Sequence, residues 1–285
     1  MMLIVAALLA LVIGLVLGML GGGGAILTLP MLVYVLHVEA KPAIATSLFV
    51  VGATSVMGTV LHARAGNVRW KIGLVFGASA MAGAFAGGRT AHLLPGKVLL
   101  VVFAVLMVVT AIAMLRGRKE ESAASEPAIG RVLVLGAGVG LLSGLVGAGG
   151  GFLIVPALTL FGGVALREAI GTSLFVITLQ SFAGFAGHIG HVQLDWPLVL
   201  LVAGAAVTGA IAGASLGKKV PVSALRRGFA WLVLAMGLFM FSKELPLIAA
   251  LPLGAASLLA LYLVTRKNNN ACTTSLPSPP SSAER

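Results

Sequence analysis

Apolar runs follow one another along the chain at about 3 to 20, 25 to 36, 43 to 63, 71 to 92 and 98 to 115, and again at about 132 to 146, 151 to 162, 169 to 187, 197 to 216 and 224 to 242, with an eleventh at about 247 to 265. Most approach the roughly 20 residues that an α-helix needs to cross a hydrocarbon core, but 25 to 36 and 151 to 162 have only about 12 each, the length of half-helices. The pattern predicts an all-α polytopic membrane protein. Two apolar stretches are interrupted by glycines, and each is followed by a Thr-Ser pair.

The order of runs is a repeat. A shift of 126 residues lays Gly21-Gly-Gly-Gly-Ala-Ile-Leu-Thr-Leu-Pro30 on Gly147-Ala-Gly-Gly-Gly-Phe-Leu-Ile-Val-Pro156, and Thr46-Ser47-Leu48-Phe49-Val50 on Thr172-Ser173-Leu174-Phe175-Val176. It also carries Ser55 to Ser181, His62 to His188, Trp70 to Trp196 and Pro95 to Pro221. Paired apolar halves with matching glycine breaks point to a transporter built from structural repeats. The chain divides into a first transmembrane repeat (3–115), a cytoplasmic linker (116–131), a second repeat (132–242), an additional transmembrane helix (247–265) and a polar, Ser/Pro-rich cytoplasmic tail (266–285) expected to be disordered.

Each glycine-broken stretch either crosses the membrane once or turns back as a hairpin, and basic residues distinguish the two. With hairpins, Arg64, Arg69, Lys71, Arg116, Arg118, Lys119, Arg131, Arg167, Lys218, Lys219, Arg226, Arg227, Arg266, Lys267 and Arg285 share one side, and Lys41, Arg89, Lys97 and Lys243 the other, a split of 15 to 4. Single crossings reduce it to 8 against 11. The positive-inside rule favours hairpins, an outer N-terminus and a cytoplasmic C-terminus, which makes the two repeats inverted.

Composition narrows the class further. The chain is 59% hydrophobic and 9% charged, with a mean hydropathy of +1.10, more apolar surface than a soluble core of 285 residues could hide. The expected location is the cell (inner) membrane, multi-pass, with lipid as a partner. The net charge of +11 sits in short clusters between apolar runs, as topology determinants do, so nucleic acid is not an expected partner. Cys272, the sole cysteine, excludes an intrachain disulfide. No metal or cofactor is expected, the His188-Ile-Gly-His191 spacing with Asp195 being a weak ligand set. A homo-oligomer is compatible with the sequence.

The paired Gly-Gly-Gly motifs, each with a proline about six residues on and a following Thr-Ser-Leu, resemble the TauE/SafE sulfite exporter family, also called toluene sulfonate uptake permeases, over residues 3 to 241. The resemblance implies secondary transport, usually outward, of sulfite or small organosulfonate anions.

The residues themselves suit an anion. Glycines at a hairpin tip let the backbone approach a ligand, and the following half-helix aims unpaired N–H groups and its positive dipole end at the tip. The candidate substrate-binding residues are Gly23, Gly24, Gly149, Gly150 and Gly151, through backbone N–H, with the hydroxyls of Thr46, Ser47, Thr172 and Ser173 as further donors. Two such tips from inverted repeats are expected to face each other near the midplane. The plainer reading is that the glycines only permit close helix packing, as Gly83/Gly87 and Gly209/Gly213 are expected to do. If the helix after the first motif starts at Pro42, Thr46 reaches the tip only as an N-cap on an inward-dipping segment; otherwise the hydroxyls bond their own backbone. Gln180 either lines the path or makes an interhelical hydrogen bond. His62 and His188, at expected helix ends, are candidates for proton coupling or interfacial structural residues. Trp70 and Trp196 are expected interface anchors.

Alternatives to a transporter are an intramembrane enzyme, opposed by the lack of a nucleophile, carboxylate pair or ligand set inside the membrane, and a non-transporting membrane assembly factor, opposed by the duplicated glycine breaks.

Overall fold

A computed structural model describes residues 2–20, 26–116, 129–147, 150, 154, 158, 166–217 and 222–244. Every described element is helical: α1 (Met2–Leu20), a short helix (Thr28–Pro30) running into a π-turn (Met31–Val35), α2 (Ala40–Arg64), α3 (Trp70–Thr90) with a 3₁₀ turn (Ala91–Leu93), α4 (Gly96–Arg116), α5 (Ile129–Val146), α6 (Leu166–Ile189), α7 (Trp196–Gly217) and α8 (Val222–Glu244). The expected helix at 247–265, the tail and most of the linker lie outside the described residues, as do Gly23, Gly24, Gly149 and Gly151. Four described segments, Ala40–Arg64, Trp70–Leu93, Glu168–Ile189 and Trp196–Ala214, are long and apolar enough to cross a membrane.

A shift of 126 residues brings the boundaries of α1 to α4 within two residues of those of α5 to α8. The packing repeats with the same offset. A Cβ on Gly14 or Gly18 of α1 would overlap the carbonyl of Ala206 or Ala210 of α7, and one on Gly140 or Gly144 of α5 would overlap that of Ala80 or Ala84 of α3. From the facing side, Gly209 and Gly213 lie on the carbonyls of Leu11 and Leu15, and their mates Gly83 and Gly87 on those of Ala137 and Leu141. These are small-residue ladders, in which glycine lets two backbones touch and dispersion, not water exclusion, holds the helices. Each ladder joins the first helix of one half to the third helix of the other, so the halves interlock.

The registers fix helix directions. In both ladders residue numbers rise together, so α1 runs with α7 and α5 with α3. Gly73 against Thr172 and Phe175, and Gly88 against Gly184 and Gly187, set α3 running with α6. In contrast, Gly52 meets Phe182 while Gly58 meets Leu174, so the repeat mates α2 and α6 are antiparallel and cross close to Thr54 and Gln180. The connector 190–195 turns α7 back from α6, alongside α2. Consecutive long helices α1 and α2 therefore run the same way, as do α5 and α6. One end of the bundle, the Lys41 face, carries Lys41, Arg89 and Lys97; the other, the Arg69 face, carries Arg64, Arg69 and Lys71.

Local chemistry explains the helix starts. Glu39 is extended (ψ 148°) immediately before α2, and Pro42 sits in the first turn, where its missing N–H costs nothing. Asp195 caps α7 by accepting the Leu198 N–H at 3.2 Å. Trp70 and Trp196 open α3 and α7, each about half exposed and each edge-on to a phenylalanine of the same repeat pair, Phe175 at 5.1 Å and Phe49 at 6.3 Å. That half-buried, half-exposed setting is the one interface anchors take.

Candidate functional site

The second glycine motif reaches into the other half of the molecule. Gly147 (φ +73°) and Gly150 (φ +63°) adopt left-handed backbone, which glycine enters without strain. The turn closes the end of α5, with the Gly147 N–H donating to the Ser143 carbonyl at 2.9 Å. The Gly147 carbonyl accepts the hydroxyl of Ser47 at 3.0 Å, and a Cβ on Gly147 would lie 2.9 Å from the Ile44 carbonyl. Three residues on, a Cβ on Gly150 would lie 2.5 Å from the Gln180 side-chain nitrogen. The Ile154 N–H then bonds the Gly150 carbonyl at 3.0 Å. The turn thus lies against α2 at Ser47, and Gly150 lies against the middle of α6.

The four hydroxyls have different surroundings. Ser47 bonds the facing tip. Ser173 donates to Ile170 in its own helix at 2.8 Å, the local bond common for serine in membrane helices. Thr172 accepts the backbone N–H of Arg69 at 2.9 Å. Thr46 lines an open cavity of about 580 Å³ at the Lys41 face, with Glu39, Lys41, His191, Gln193 and Asp195 among its walls. Thr46 is not an N-cap, and Pro42 is not the first residue of the helix. The helix begins two residues earlier, at Ala40, and the Thr46-Ser47 pair meets a glycine tip because Gly147 comes to it from the other half.

Gln180 is fully buried and its amide nitrogen lies 3.4 Å from the Ser143 hydroxyl, an interhelical contact at the α2–α6 crossing. Ser143 has no precedent in the sequence reading, because its repeat mate is Leu17; only its place one turn before Gly147 could have drawn notice. Among the described residues, the buried hydroxyls of Thr28 and Ser181 have no hydrogen-bond partner. Ser181 neighbours Gln180 in sequence, at the same depth in α6.

The histidines separate. His188 is 2% exposed, its Nε2 2.8 Å from the Gly144 carbonyl, which makes it a buried link between α6 and α5 and not an interfacial residue. No local pattern around His188 signals this, since the burial comes from α5 packing over the end of α6. His62 lies in the last turn of α2, next to Gly171 of α6. His191 stacks on His92 at 4.1 Å. Among the described residues no group of three or more His, Cys, Asp or Glu gathers in metal-binding proximity.

The two ends of the α2–α6 pair differ. At the Arg69 face the connector between α2 and α3 lies down on α6: the Asn67 carbonyl would overlap a Cβ on Gly171, Arg69 Nε pairs with Glu168 at 2.8 Å, and Thr172 has no exposure. At the Lys41 face the corresponding connector, 190–195, rests Val192 and Leu194 on the core and lines the cavity that reaches Thr46.

The family profile described as "Sulfite exporter TauE/SafE" matches residues 6–240. The chain is 33% identical over 240 residues to a probable membrane transporter protein of Xylella fastidiosa, covering 81% of this chain and 92% of that one. It is 30% identical over 220 residues to the probable membrane transporter protein YdhB of Bacillus subtilis, covering 75% and 90%. No solved structure matches the chain significantly.

Proposed function

Because the chain belongs to the sulfite exporter TauE/SafE family and is a multi-pass membrane transporter, we propose that it carries sulfite or a small organosulfonate outward as a secondary transporter, binding the anion between two glycine tips. The observation that carries this reading is the setting of Gly150. Gly150, in left-handed backbone that lets the main chain approach a ligand closely, stands beside the Gln180 amide in the centre of the molecule. The buried hydroxyls of Ser181 and Thr28 are further donors for an oxyanion. No basic side chain lies in either glycine motif, and an anion held by dipoles and hydroxyls is bound yet free to leave.

Inverted repeats account for the packing. Mates α2 and α6 are antiparallel, and the two glycine ladders exchange under the same swap of halves. Parallel α1 and α2, and parallel α5 and α6, support a hairpin at each glycine motif. It places the Arg69 face, with most of the basic loop residues, in the cytoplasm and the Lys41 face outside. Near-symmetric halves of this kind alternate access by each adopting the other's conformation.

A panel of anions tested for thermal stabilisation of the purified protein checks the substrate class, since a ligand that binds only the folded state raises the transition temperature with its concentration. Sulfite or a small sulfonate is expected to stabilise, and chloride at equal ionic strength is not. Stabilisation by none of the oxyanions contradicts the assignment.

A further inference from the structure

We propose that the connector 65–69 is a latched gate at the Arg69 face, and that its latch has no equivalent at the other end, so the empty protein rests open to the Lys41 face. The inference rests on the transporter reading and adds to it the resting state and the residues that set it.

Three contacts hold the connector on α6: the Arg69–Glu168 ion pair, the Arg69 N–H on Thr172, and the Asn67 carbonyl seated where Gly171 has no Cβ. Under the shift of 126 residues, Arg69 becomes Asp195, Glu168 becomes Pro42 and Gly171 becomes Ala45. Asp195 and Pro42 cannot form an ion pair. Ala45 carries a methyl group where Gly171, its repeat mate, has none. Only Thr172 keeps its chemistry, as Thr46, and Thr46 lines the open cavity. Closure at the Lys41 face therefore lacks two of the three contacts and meets a steric obstacle. The charged pair is partly exposed, with 62% and 28% of its side chains accessible, so its share is modest, and Gly171 is the firmer element of the latch.

Thiol accessibility tests this in the full-length protein with Cys272→Ser as background, which leaves no native cysteine. Thr46→Cys and Thr172→Cys are reporters for a membrane-impermeant maleimide, and sulfite flux is recorded separately. Thr46→Cys is expected to label rapidly and Thr172→Cys slowly. Adding Glu168→Gln to Thr172→Cys is expected to speed labelling about two- to fivefold, the range an exposed ion pair can shift. Adding Gly171→Ala is expected to speed it more, and Ala45→Gly to slow labelling of Thr46→Cys. The double exchange Arg69→Glu with Glu168→Arg is expected to restore slow labelling. Equal labelling of the two reporters in the parent, or no response to either Glu168→Gln or Gly171→Ala, overturns the proposal. Because labelling needs no substrate, these results stand apart from the flux measurement. Absent sulfite flux with asymmetric, latch-dependent labelling sinks the substrate assignment alone, whereas normal flux with symmetric labelling sinks the latch alone.

Discussion

The hydroxyl of Ser47 donates to the carbonyl of Gly147 at 3.0 Å across 100 residues of sequence, tying the Thr-Ser segment of one half to the glycine turn of the other. Both groups are buried.

Ser47→Ala should therefore leave the Gly147 carbonyl unsatisfied. The expected loss is about 1–3 kcal/mol of stability, seen as a lower transition temperature in detergent, because an orphaned buried acceptor bears its full desolvation cost. Ser173→Ala, which removes only a bond within its own helix, should lower it much less. Equal effects would mean that the bond between the halves has no special weight.

Ladder glycines and tip glycines should fail differently. Gly144→Val drives a side chain into the Ala84 carbonyl and is expected to abolish folded protein, since neither backbone can yield without separating α3 from α5. Gly138→Ala, where nothing lies within 4 Å, should be silent. Expression and gel-filtration profiles report both, and a well-folded Gly144→Val protein would contradict the ladder.

The ladders and the order of helices were legible because the duplication preserved both hydrophobic period and glycine position: Gly83/Gly87 and Gly209/Gly213, read as packing pairs from spacing, each lie on a facing backbone carbonyl. What could not be read was contact between the halves. Nothing local to Ser47 reveals that Gly147 is its acceptor, and no periodicity tells that α5 covers His188. Pro42 left the start of α2 open to within a turn, because proline is at ease throughout the first turn, and the helix begins at Ala40. Repeat logic also hid Ser143, whose mate is an ordinary leucine.

The proton-coupling proposal concerns His62 and His188, imidazoles being the side chains that change charge near neutral pH. His188→Gln retains a donor for the Gly144 carbonyl and His62→Gln retains polarity, while neither titrates. If histidines couple protons, one variant or the other should transport sulfite without responding to an imposed pH gradient. Wild-type dependence in both would leave a uniport driven by the anion gradient and membrane potential.

The topology proposal places the connectors 65–69 and 190–195 on opposite sides of the membrane. Single cysteines at Ala65, which is exposed, and at Gly190, where an added Cβ meets nothing, should label from the cytoplasm and from outside respectively in oriented vesicles. Labelling of both from one side contradicts inversion.

The central claim, that the anion is held at the glycine tips, is tested most directly by labelled-sulfite flux into proteoliposomes carrying equal amounts of folded wild-type or Gly150→Val protein. A valine at Gly150 is strained at φ +63° and presses on the Gln180 amide, blocking backbone approach to the anion. The account predicts saturable uptake by the wild type without ATP, and uptake at the level of empty liposomes for a Gly150→Val protein that still folds. A folded Gly150→Val variant transporting sulfite at the wild-type rate would contradict it.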